Sequence, residues 1–352
     1  HPDMSSSPIE VLPDAGPTPG GRVKLTHPSG ACVELTRFGA HILSWKTPAR
    51  APGTPPVERL WMSSLSALDG SAPIRGGIPI AWPQFANVGD MPLHGFARER
   101  LWEVIDEAPT SPKASDVVHV TLRLTSDDAT AKGTWRDPPA PPYPWKFDLK
   151  FTIDLSATEI RLKLYVCNEG GLTPEAQGAK MPFTGCLHTY FRTADSSQVR
   201  LVGCLRGVPF EDKVDGYKRK VHGAEDGADE LTIEKASIES KGYVDRVYTH
   251  PPQSSADTPR IMHVHVGKGL DQGAPDAATS YEVEMSASWP DFVVFNPWLE
   301  GKKGDKGPDF DDDGYKYMIC VEPTIASLPV ELGTSPTDSS WSGTCRIKIT
   351  QD

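Results

Sequence analysis

The sequence predicts an all-β protein, built as one large antiparallel β-sandwich with few short helices. Three observations support this fold class. Apolar and polar residues alternate with a period of two in several segments, which is typical of strands with one buried face and one solvated face. Segments with helical periodicity are scarce. The 34 prolines and 31 glycines recur every few residues, which interrupts long helices and suits short strands joined by turns.

The clearest strands lie in the middle and at the end of the chain. The alternation predicts strands over residues 118–124, 147–155, 160–166 and 345–349. Only residues 156–159 separate the second of these strands from the third, and this short link predicts a β-hairpin. Residues 137–144 carry five prolines, so we expect an extended loop there.

The domain organisation follows from where the strand pattern begins. We interpret residues 22–352 as a single β-sandwich domain and residues 1–21, which are rich in Pro, Ser and Gly, as a disordered segment. That segment lacks the basic and apolar stretches of a signal peptide. No run of about 18 apolar residues predicts a membrane span. We therefore expect a cytoplasmic protein without a membrane partner.

Composition limits the possible partners. Nine Trp and eleven Phe can furnish a sizeable core. The formal net charge of −11 argues against a nucleic-acid partner, because such proteins need a basic face. It leaves room for a phosphorylated small molecule, since a few arginines in one pocket can hold a phosphate. The six cysteines are scattered and form no CxxC pair, which favours free thiols in a reducing compartment.

Four segments contain residues that could carry chemistry. IRGGIPIAWPQF places Arg75 before two glycines, and LHGFAR brings His94 and Arg98 together on a short irregular stretch. In TGCLHTYF, His188 interrupts an otherwise apolar strand, and a histidine can give or take a proton near neutral pH. In MICVEP, an apolar run ends in Glu322, and a buried carboxylate is costly unless it is paired or functional.

Taken singly, each of these segments also has an ordinary structural interpretation. Arg75 could lie in a surface turn and Arg98 at a strand end. His188 could be a hydrogen-bonded core residue, and Glu322 could be one half of a structural salt bridge. Composition alone favours the turn for Arg75 and the core position for His188.

Two further clusters suggest metal ligands but lack a complete donor set. His263 and His265 place two imidazoles on one strand face, without a third ligand at a persuasive spacing. The acidic run at residues 311–313 lacks the ligand spacing of an EF-hand loop. We interpret the first as a surface-facing pair and the second as a solvated loop, so we expect no metal.

Together and in this order, the segments resemble the aldose 1-epimerase superfamily, and most closely its glucose-6-phosphate 1-epimerase branch. The resemblance rests on IRGGIPIAWPQF, LHGFARERLWE, LHTYFR, VDRVY, FNPWLE and YKYMICVEP, and spans about residues 23–349. It implies a supersandwich of the galactose mutarotase type and an isomerase that interconverts the anomers of hexose 6-phosphates. We also expect a monomer, and an acid–base reaction of this kind needs no cofactor.

The resemblance further implies roles for particular residues. Glu322 would take the proton of the C1 hydroxyl while His188 protonates the ring oxygen, and the two roles would reverse on ring closure. Contacts to sugar and phosphate would come from Arg75, His94, Arg98 and Asp245.

Three features depart from the pattern of the branch. Leu93 stands where relatives often carry Gln, and Thr324 follows the Glu-Pro pair where relatives commonly carry Gly. The segment 203–279 is longer than expected, and we interpret it as a surface insertion. Two other functions stay open: a non-catalytic sugar-phosphate binding protein, since a sandwich hosts many binding modules, and a 1-epimerase of free aldoses.

Overall fold

The computed structural model describes residues 8–12, 18–105, 116–239, 243–249, 258–297 and 307–351. Within these residues the chain is almost entirely β-structure, which confirms the predicted all-β class with few short helices. The two α-helices are α1, Asp128–Lys132, and α2, Ile233–Glu239. Single 3-10 turns lie at Ala97–Glu99, Ser196–Gln198 and Gly314–Tyr317.

The strands are short at the start of the chain and longest at its end. The first eleven are β1 Ile9–Leu12, β2 Arg22–Thr26, β3 Cys32–Thr36, β4 His41–Thr47, β5 Val57–Glu58, β6 Ile80–Ala81, β7 Glu103–Ile105, β8 Val118–Thr125, β9 Trp145–Leu155, β10 Glu159–Gly171 and β11 Met181–Leu187. The others are β12 Tyr190–Arg192, β13 Arg200–Val202, β14 Pro209–Asp212, β15 Lys218–Val221, β16 Glu230–Thr232, β17 Val244–Thr249, β18 Arg260–Gly267, β19 Thr279–Met285, β20 Asp291–Asn296, β21 Met318–Leu332 and β22 Ser340–Gln351.

These strands form three antiparallel sheets. A five-stranded sheet has the order β1-β2-β3-β4-β5, and a nine-stranded sheet has the order β16-β13-β18-β19-β22-β10-β9-β8-β7. An eight-stranded sheet has the order β15-β14-β17-β20-β21-β11-β6, and β12 also pairs with β21. The order is far from sequential, so residues distant in the chain become neighbours across each sheet.

The four strands predicted from alternation are β8, β9, β10 and β22 of the nine-stranded sheet. The hairpin between β9 and β10 is present, with Leu155 opposite Ile160. On β9 the residues Leu149, Phe151 and Ile153 are fully buried, while the residues between them are partly exposed, as the period of two requires. The proline-rich loop at 137–144 contains neither strand nor helix, as expected.

The N-terminal segment departs from the expectation of disorder where it is described. Residues 9–12 of the segment 1–21 form the edge strand β1, whose Ile9 lies opposite Leu25 of β2. Backbone hydrogen bonds to β2 and partial burial of Ile9 order these four residues, although the surrounding composition is rich in Pro and Ser. Residues 1–7 and 13–17 lie outside the described part of the chain.

The eight-stranded sheet is apolar on both faces, and this property positions the functional site. On β20, Phe292 and Val294 belong to the main core, which also contains residues of the other two sheets such as Trp45 and Phe151. Val293 and Phe295 of the same strand point the other way, into a second apolar cluster. The two faces of this sheet therefore pack into two separate apolar clusters.

Two expectations from composition concern membranes and thiols. Within the described residues, no helix has the length and apolar character needed to cross a membrane. All six cysteines are free thiols in the structure, and Cys186, Cys320 and Cys345 are buried.

The packing of the main core can be tested with two leucines that both lie on strands. Leu149→Ala removes a side chain that is 0% exposed, whereas Leu328→Ala removes one that is 64% exposed on β21. We expect the first to lower the free energy of unfolding by about 2–5 kcal/mol, because it leaves a cavity. The second should change it by less than about 0.5 kcal/mol. Urea denaturation measures both, and equal effects would contradict this description of the core.

Candidate active site

A cavity of about 230 Å³ opens on the second face of the eight-stranded sheet. Five of the six residues singled out in the sequence line this pocket: Arg75, His94, His188, Asp245 and Glu322. They come from five separate segments of the chain, and the fold brings them together. The sixth, Arg98, lies beside the pocket rather than in its lining.

The register of three neighbouring strands explains why the carboxylates share the pocket. Across β17, β20 and β21, Asp245 lies opposite Phe295, and Val293 lies opposite Glu322. Residues that lie opposite each other, and residues two apart along a strand, point to the same face of a sheet. Asp245, Glu322 and the apolar pair on β20 therefore form one continuous wall.

His188 lies at the break between β11 and β12. Its backbone N–H donates to the carbonyl of Pro79 at 3.0 Å, and the N–H of Tyr190 donates to Gly77 at 2.9 Å. The double-glycine segment therefore runs alongside the histidine. A Cβ atom on Gly77, whose φ is 61°, would lie 2.0 Å from the carbonyl oxygen of Ile42. The glycine therefore allows close approach to another strand.

The side chains of His188 and Glu322 are in contact at the floor of the pocket. Nδ1 of His188 lies 3.2 Å from Oε1 of Glu322, and the two side chains are 14% and 1% exposed. The ring nitrogen does not point at the oxygen, so this contact lacks the geometry of a hydrogen bond. The imidazole stacks on Tyr190 at 4.6 Å and 6°, which fixes the plane of the ring.

Burial determines where the protons of this pair reside. Burial raises the pKa of Glu322 to about 8, and the ammonium of Lys213 opposes that shift. Burial also lowers the pKa of His188 well below its usual value, and the charges of Arg75 and Arg98 lower it further. At a pH between the pKa of His188 and that of Glu322, the pair holds one proton. In the empty pocket this proton resides on Glu322.

Two buried thiols flank the carboxylate. Sγ of Cys186 donates to Oε2 of Glu322 at 3.5 Å. The ligand atoms of His188, Cys320 and Glu322 all lie within 4.8 Å of one another, and they form the one potential metal-binding group of three or more such side chains among the described residues. This group coincides with the pair just described.

The histidine pair considered in the sequence as a metal site lies elsewhere. The rings of His263 and His265 are 6.4 Å apart on β18, in the nine-stranded sheet. Nδ1 of His265 is 2.7 Å from the hydroxyl of Ser280. Neither histidine belongs to a group with a third metal-type ligand in the described part of the chain.

Arg75 reaches the pocket but already has an anionic partner. Its Nε donates to Oδ2 of Asp309 at 3.0 Å, and its Nη2 donates to Oδ1 at 3.3 Å. Asp309 belongs to the segment near residues 311–313 that the sequence predicted as a solvated loop. In the described part of that loop, Asp311 contacts Ser64, so both carboxylates hold the loop against the body of the protein.

Arg98 differs from Arg75 because it forms no ion pair with a carboxylate of the described residues. Its Nη2 donates to the carbonyl of Leu93 at 2.6 Å, whereas its buried Nε has no acceptor among those residues. The charge of Arg98 lowers the pKa of both His94 and His188, after the larger effect of burial. The guanidinium thus lies close behind the pocket wall.

His94 adopts a left-handed backbone conformation, with φ of 65°, at the rim of the pocket. Its Nδ1 accepts the backbone N–H of Ala86 at 3.2 Å. Burial lowers the pKa of His94 well below its usual value, so the ring is neutral near pH 7. Because Nδ1 is an acceptor, Nε2 carries the proton and is available as a donor. Its ring centre lies 5.5 Å from that of His188.

Sequence reasoning missed Lys213, which also lines the pocket. Its Nζ lies 3.3 Å from Oδ1 of Asp245 and 4.9 Å from the ring centre of Phe85. A lysine in a turn after a short strand gives no signal in the sequence. Only the pairing of β14 with β17 reveals its position, because it places the N–H of Lys213 3.0 Å from the carbonyl of Asp245.

The segment 203–279, which is longer than expected, contributes strands to both larger sheets. It supplies β14 and β17 of the eight-stranded sheet and β18 of the nine-stranded sheet. It also contributes Lys213, Tyr217 and Asp245 to the pocket. The interpretation of its added length as a surface insertion stays a prediction.

The two other departures from the branch pattern have simple structural consequences. Leu93 is 54% exposed at the rim of the pocket, and its backbone carbonyl accepts a hydrogen bond from Arg98. Thr324 is buried, and its hydroxyl donates to the carbonyl of Glu322 at 2.8 Å. In the motif FNPWLE, residues 298–300 lie outside the described part of the chain.

A larger cavity, of about 520 Å³, lies beside β15, β16 and α2. Its lysines are neutralised locally, because Lys220 pairs with Asp212 at 2.8 Å and Lys235 pairs with Asp226 at 3.0 Å. It contains none of the residues singled out in the sequence. The smaller pocket, where an acid and a base meet, is therefore the candidate active site.

Comparison with known proteins gives one family and several similar structures. The sequence profile described as "Aldose 1-epimerase" matches residues 21–348. A Cenchrus ciliaris protein named "Putative glucose-6-phosphate 1-epimerase" is 30% identical over 322 residues, which are 90% of this chain and 82% of that protein. A Salmonella typhimurium protein with the same name is 28% identical over 83% of this chain and 79% of its own length.

Solved structures support the fold. The YeaD protein of Salmonella typhimurium superposes with a TM-score of 0.66 at 23% identity, covering 98% of this chain and 97% of that one. Galactose 1-epimerase from Lactobacillus acidophilus superposes with a TM-score of 0.63 at 12% identity, covering 98% and 99%. At these identities the similarity shows the sandwich architecture alone.

Burial of the Glu322 carboxyl should make stability depend on pH in a recognisable way. Above the usual pKa of a glutamate, about 4.3, the unfolded chain releases this proton, whereas the folded protein keeps it up to about pH 8. The stability that Glu322 contributes below the lower value is therefore lost as pH rises through the higher one. We expect Glu322→Gln to gain stability relative to wild type, by on the order of a few kcal/mol, between pH 5 and pH 9.

Urea denaturation at pH 5, 7 and 9 measures this difference. Glu331→Gln on the same strand is the control, since the Glu331 side chain is 55% exposed and its difference from wild type should stay constant. A Glu322→Gln difference that does not change with pH would contradict the raised pKa.

Proposed function

The chain belongs to the aldose 1-epimerase family, and on that premise we propose that it is a hexose-6-phosphate mutarotase acting on glucose 6-phosphate. The observation that carries this proposal is the contact at 3.2 Å between His188 and Glu322 in a pocket lined by cationic side chains. The names of the curated relatives favour glucose 6-phosphate as the substrate.

The reaction needs one acid and one base near a single bond. Glu322 removes the proton from the C1 hydroxyl, His188 delivers a proton to the ring oxygen, and the bond between C1 and that oxygen breaks. Rotation about C1–C2 then presents the other face of the aldehyde. Ring closure reverses both proton transfers, so the enzyme returns to its starting state and no metal or covalent intermediate is required.

The productive pair is a Glu322 carboxylate beside a His188 imidazolium. In the empty pocket the shared proton resides on Glu322 instead, because both groups are buried and arginines surround the imidazole. A substrate phosphate bound near these arginines would cancel part of their positive charge. The proton could then move to His188, so the substrate itself would help to form the reactive state.

The charges around the pocket suggest how the phosphate is held. Arg98 forms no ion pair with a carboxylate of the described residues, and only the more distant charge of Glu99 opposes its own, so we infer that it offers positive charge to the phosphate. Arg75 is paired with Asp309 and contributes less net charge. Asp245 and His94 can then form hydrogen bonds with sugar hydroxyls, as an acceptor and a donor respectively.

A 1-epimerase of free aldoses is the second candidate, and one observation favours it. The bidentate pair between Arg75 and Asp309 removes part of the positive charge that a phosphate would need. A free sugar requires no such charge. Comparing the two substrates therefore decides between these candidates.

The acid–base assignment is tested by His188→Ala and Glu322→Gln. We expect each change to lower the rate of glucose 6-phosphate anomerisation by about 10²–10⁴-fold, because each removes one of the two proton carriers. Exchange NMR measures the rate above the spontaneous background, and Glu331→Gln on the same strand should keep the wild-type rate. Unchanged rates in both variants would refute the mechanism. Saturable binding by wild type without any acceleration would indicate a binding protein instead.

The phosphate assignment is tested by Arg98→Ala with two substrates. Loss of a charge-assisted contact worth about 1.5–3 kcal/mol should raise KM for glucose 6-phosphate about 10–150-fold and leave KM for glucose nearly unchanged. Arg200→Ala is the control, because Arg200 pairs with Glu230 in the nine-stranded sheet. Equal effects of Arg98→Ala on both substrates would argue for the free-aldose enzyme.

A further inference from the structure

We propose that Lys213 is a positioning residue that controls where the shared proton of the active site resides. Its ammonium group, held inside the pocket by Asp245, favours the carboxylate form of Glu322 and so eases transfer of the shared proton to His188 when substrate binds. This inference rests on the proposed function, because it concerns the same acid–base pair. It assigns a role to a residue that neither the motifs nor the family resemblance indicated.

Three contacts fix the position of Lys213. Its backbone N–H donates to the carbonyl of Asp245 at 3.0 Å, and its Nζ is 3.3 Å from a carboxylate oxygen of the same residue. The ammonium also lies over the ring of Phe85 at 4.9 Å. The Lys213 side chain is only 17% exposed, so its charge is screened little by solvent.

The negative charge of Asp245 opposes ionisation of Glu322, and a cation is needed to balance it. Two carboxylates in one buried pocket disfavour double ionisation, and Asp245 does raise the pKa of Glu322, in addition to the larger effect of burial. Lys213 opposes both effects and is the strongest influence that lowers this pKa. Without Lys213, Glu322 would hold the proton more tightly and would be a poorer acceptor for the C1 hydroxyl proton.

The other titratable groups near Glu322 cannot replace Lys213. The thiols of Cys186 and Cys320 and the phenol of Tyr190 stay neutral near pH 7, because burial raises the pKa of each. His188 is the other member of the pair, to which the shared proton must move. The charges of Arg75 and Arg98 lower the pKa of His188, so they push the proton in the opposite direction, and Lys213 does the same more weakly than either arginine. On Glu322, by contrast, Lys213 is the charge that lowers the pKa most, so it still favours the productive arrangement.

The closing experiment compares the pH profiles of kcat and kcat/KM in wild type, Lys213→Met and Lys213→Arg. Lys213→Met removes the charge but keeps a long apolar side chain, so we expect kcat at neutral pH to fall about tenfold, which corresponds to about 1.4 kcal/mol. The alkaline limb of the profile, where the pair loses its last proton, should move to higher pH. Lys213→Arg, which keeps the charge, should restore both quantities at least in part.

Two outcomes would overturn the proposal. A rise in KM with an unchanged kcat and an unmoved alkaline limb would make Lys213 a substrate contact only. A fall in kcat with lower stability and an unmoved limb would make its role structural. Asp245→Asn provides the opposite electrostatic change, and its alkaline limb should move to lower pH.

A measurement without substrate separates this proposal from the proposed function. In ¹³C-glutamate-labelled protein, the carboxyl signal absent from Glu322→Gln identifies Glu322, and its titration midpoint should be higher in Lys213→Met than in wild type. If wild type fails to anomerise glucose 6-phosphate, the proposed function fails while this titration still tests the pairing. Equal midpoints in the two proteins would refute the role of Lys213, whatever the activity.

Discussion

Burial of the Glu322 carboxyl group is the constraint on which the rest of the site depends. The folded protein removes this group from water, and that burial raises its pKa to about 8. The same burial lowers the pKa of His188, so the two side chains share one proton near neutral pH. The proposed ring opening needs this one proton on His188, with an ionised Glu322 3.2 Å away. Burial destabilises the ionised form of Glu322, so packing in the rest of the fold must offset this loss of stability.

The eight-stranded sheet stabilises the fold with one face and carries the reactive side chains on the other. One face of β20 and β21 packs into the main core through residues such as Phe292 and Val321. The opposite face carries Glu322, with Val293 beside it in register. Because side chains alternate along a strand, a single apolar segment can anchor the sheet and present a reactive group at neighbouring positions. The apolar neighbours also supply the low-polarity surroundings that shift the pKa.

The cations of the pocket have different electrostatic surroundings. Arg75 is held by Asp309, and Lys213 by Asp245, so each forms a nearly neutral pair. Arg98, which lies beside the pocket, forms no ion pair with a carboxylate of the described residues. In the proposed reaction, Lys213 would set the protonation of the base, whereas Arg98 would attract the substrate. An acidic chain can therefore bind an anion, because the local arrangement of charges matters more than the net charge.

Alternation and ordered motifs predicted much of this molecule from its sequence. The strands β8, β9, β10 and β22 follow from periodicity alone, since a half-buried strand must alternate. The residues His188 and Glu322 followed from the family resemblance, and the fold places them in one pocket. A local stretch of sequence reveals strands and motifs because both depend on residues that are close together in the chain.

Only the tertiary structure decided which distant residues meet. The strand order of the eight-stranded sheet brings Lys213 beside Asp245. The fold also brings Arg75 to Asp309, although these two residues are more than 200 positions apart in the chain. The strand at residues 9–12 likewise exists because β2 offers an edge, not because its own sequence is strongly patterned. Pairing between distant segments depends on the order of strands in the sheet and on which strand edges are free to form hydrogen bonds. A local stretch of sequence determines neither of these properties.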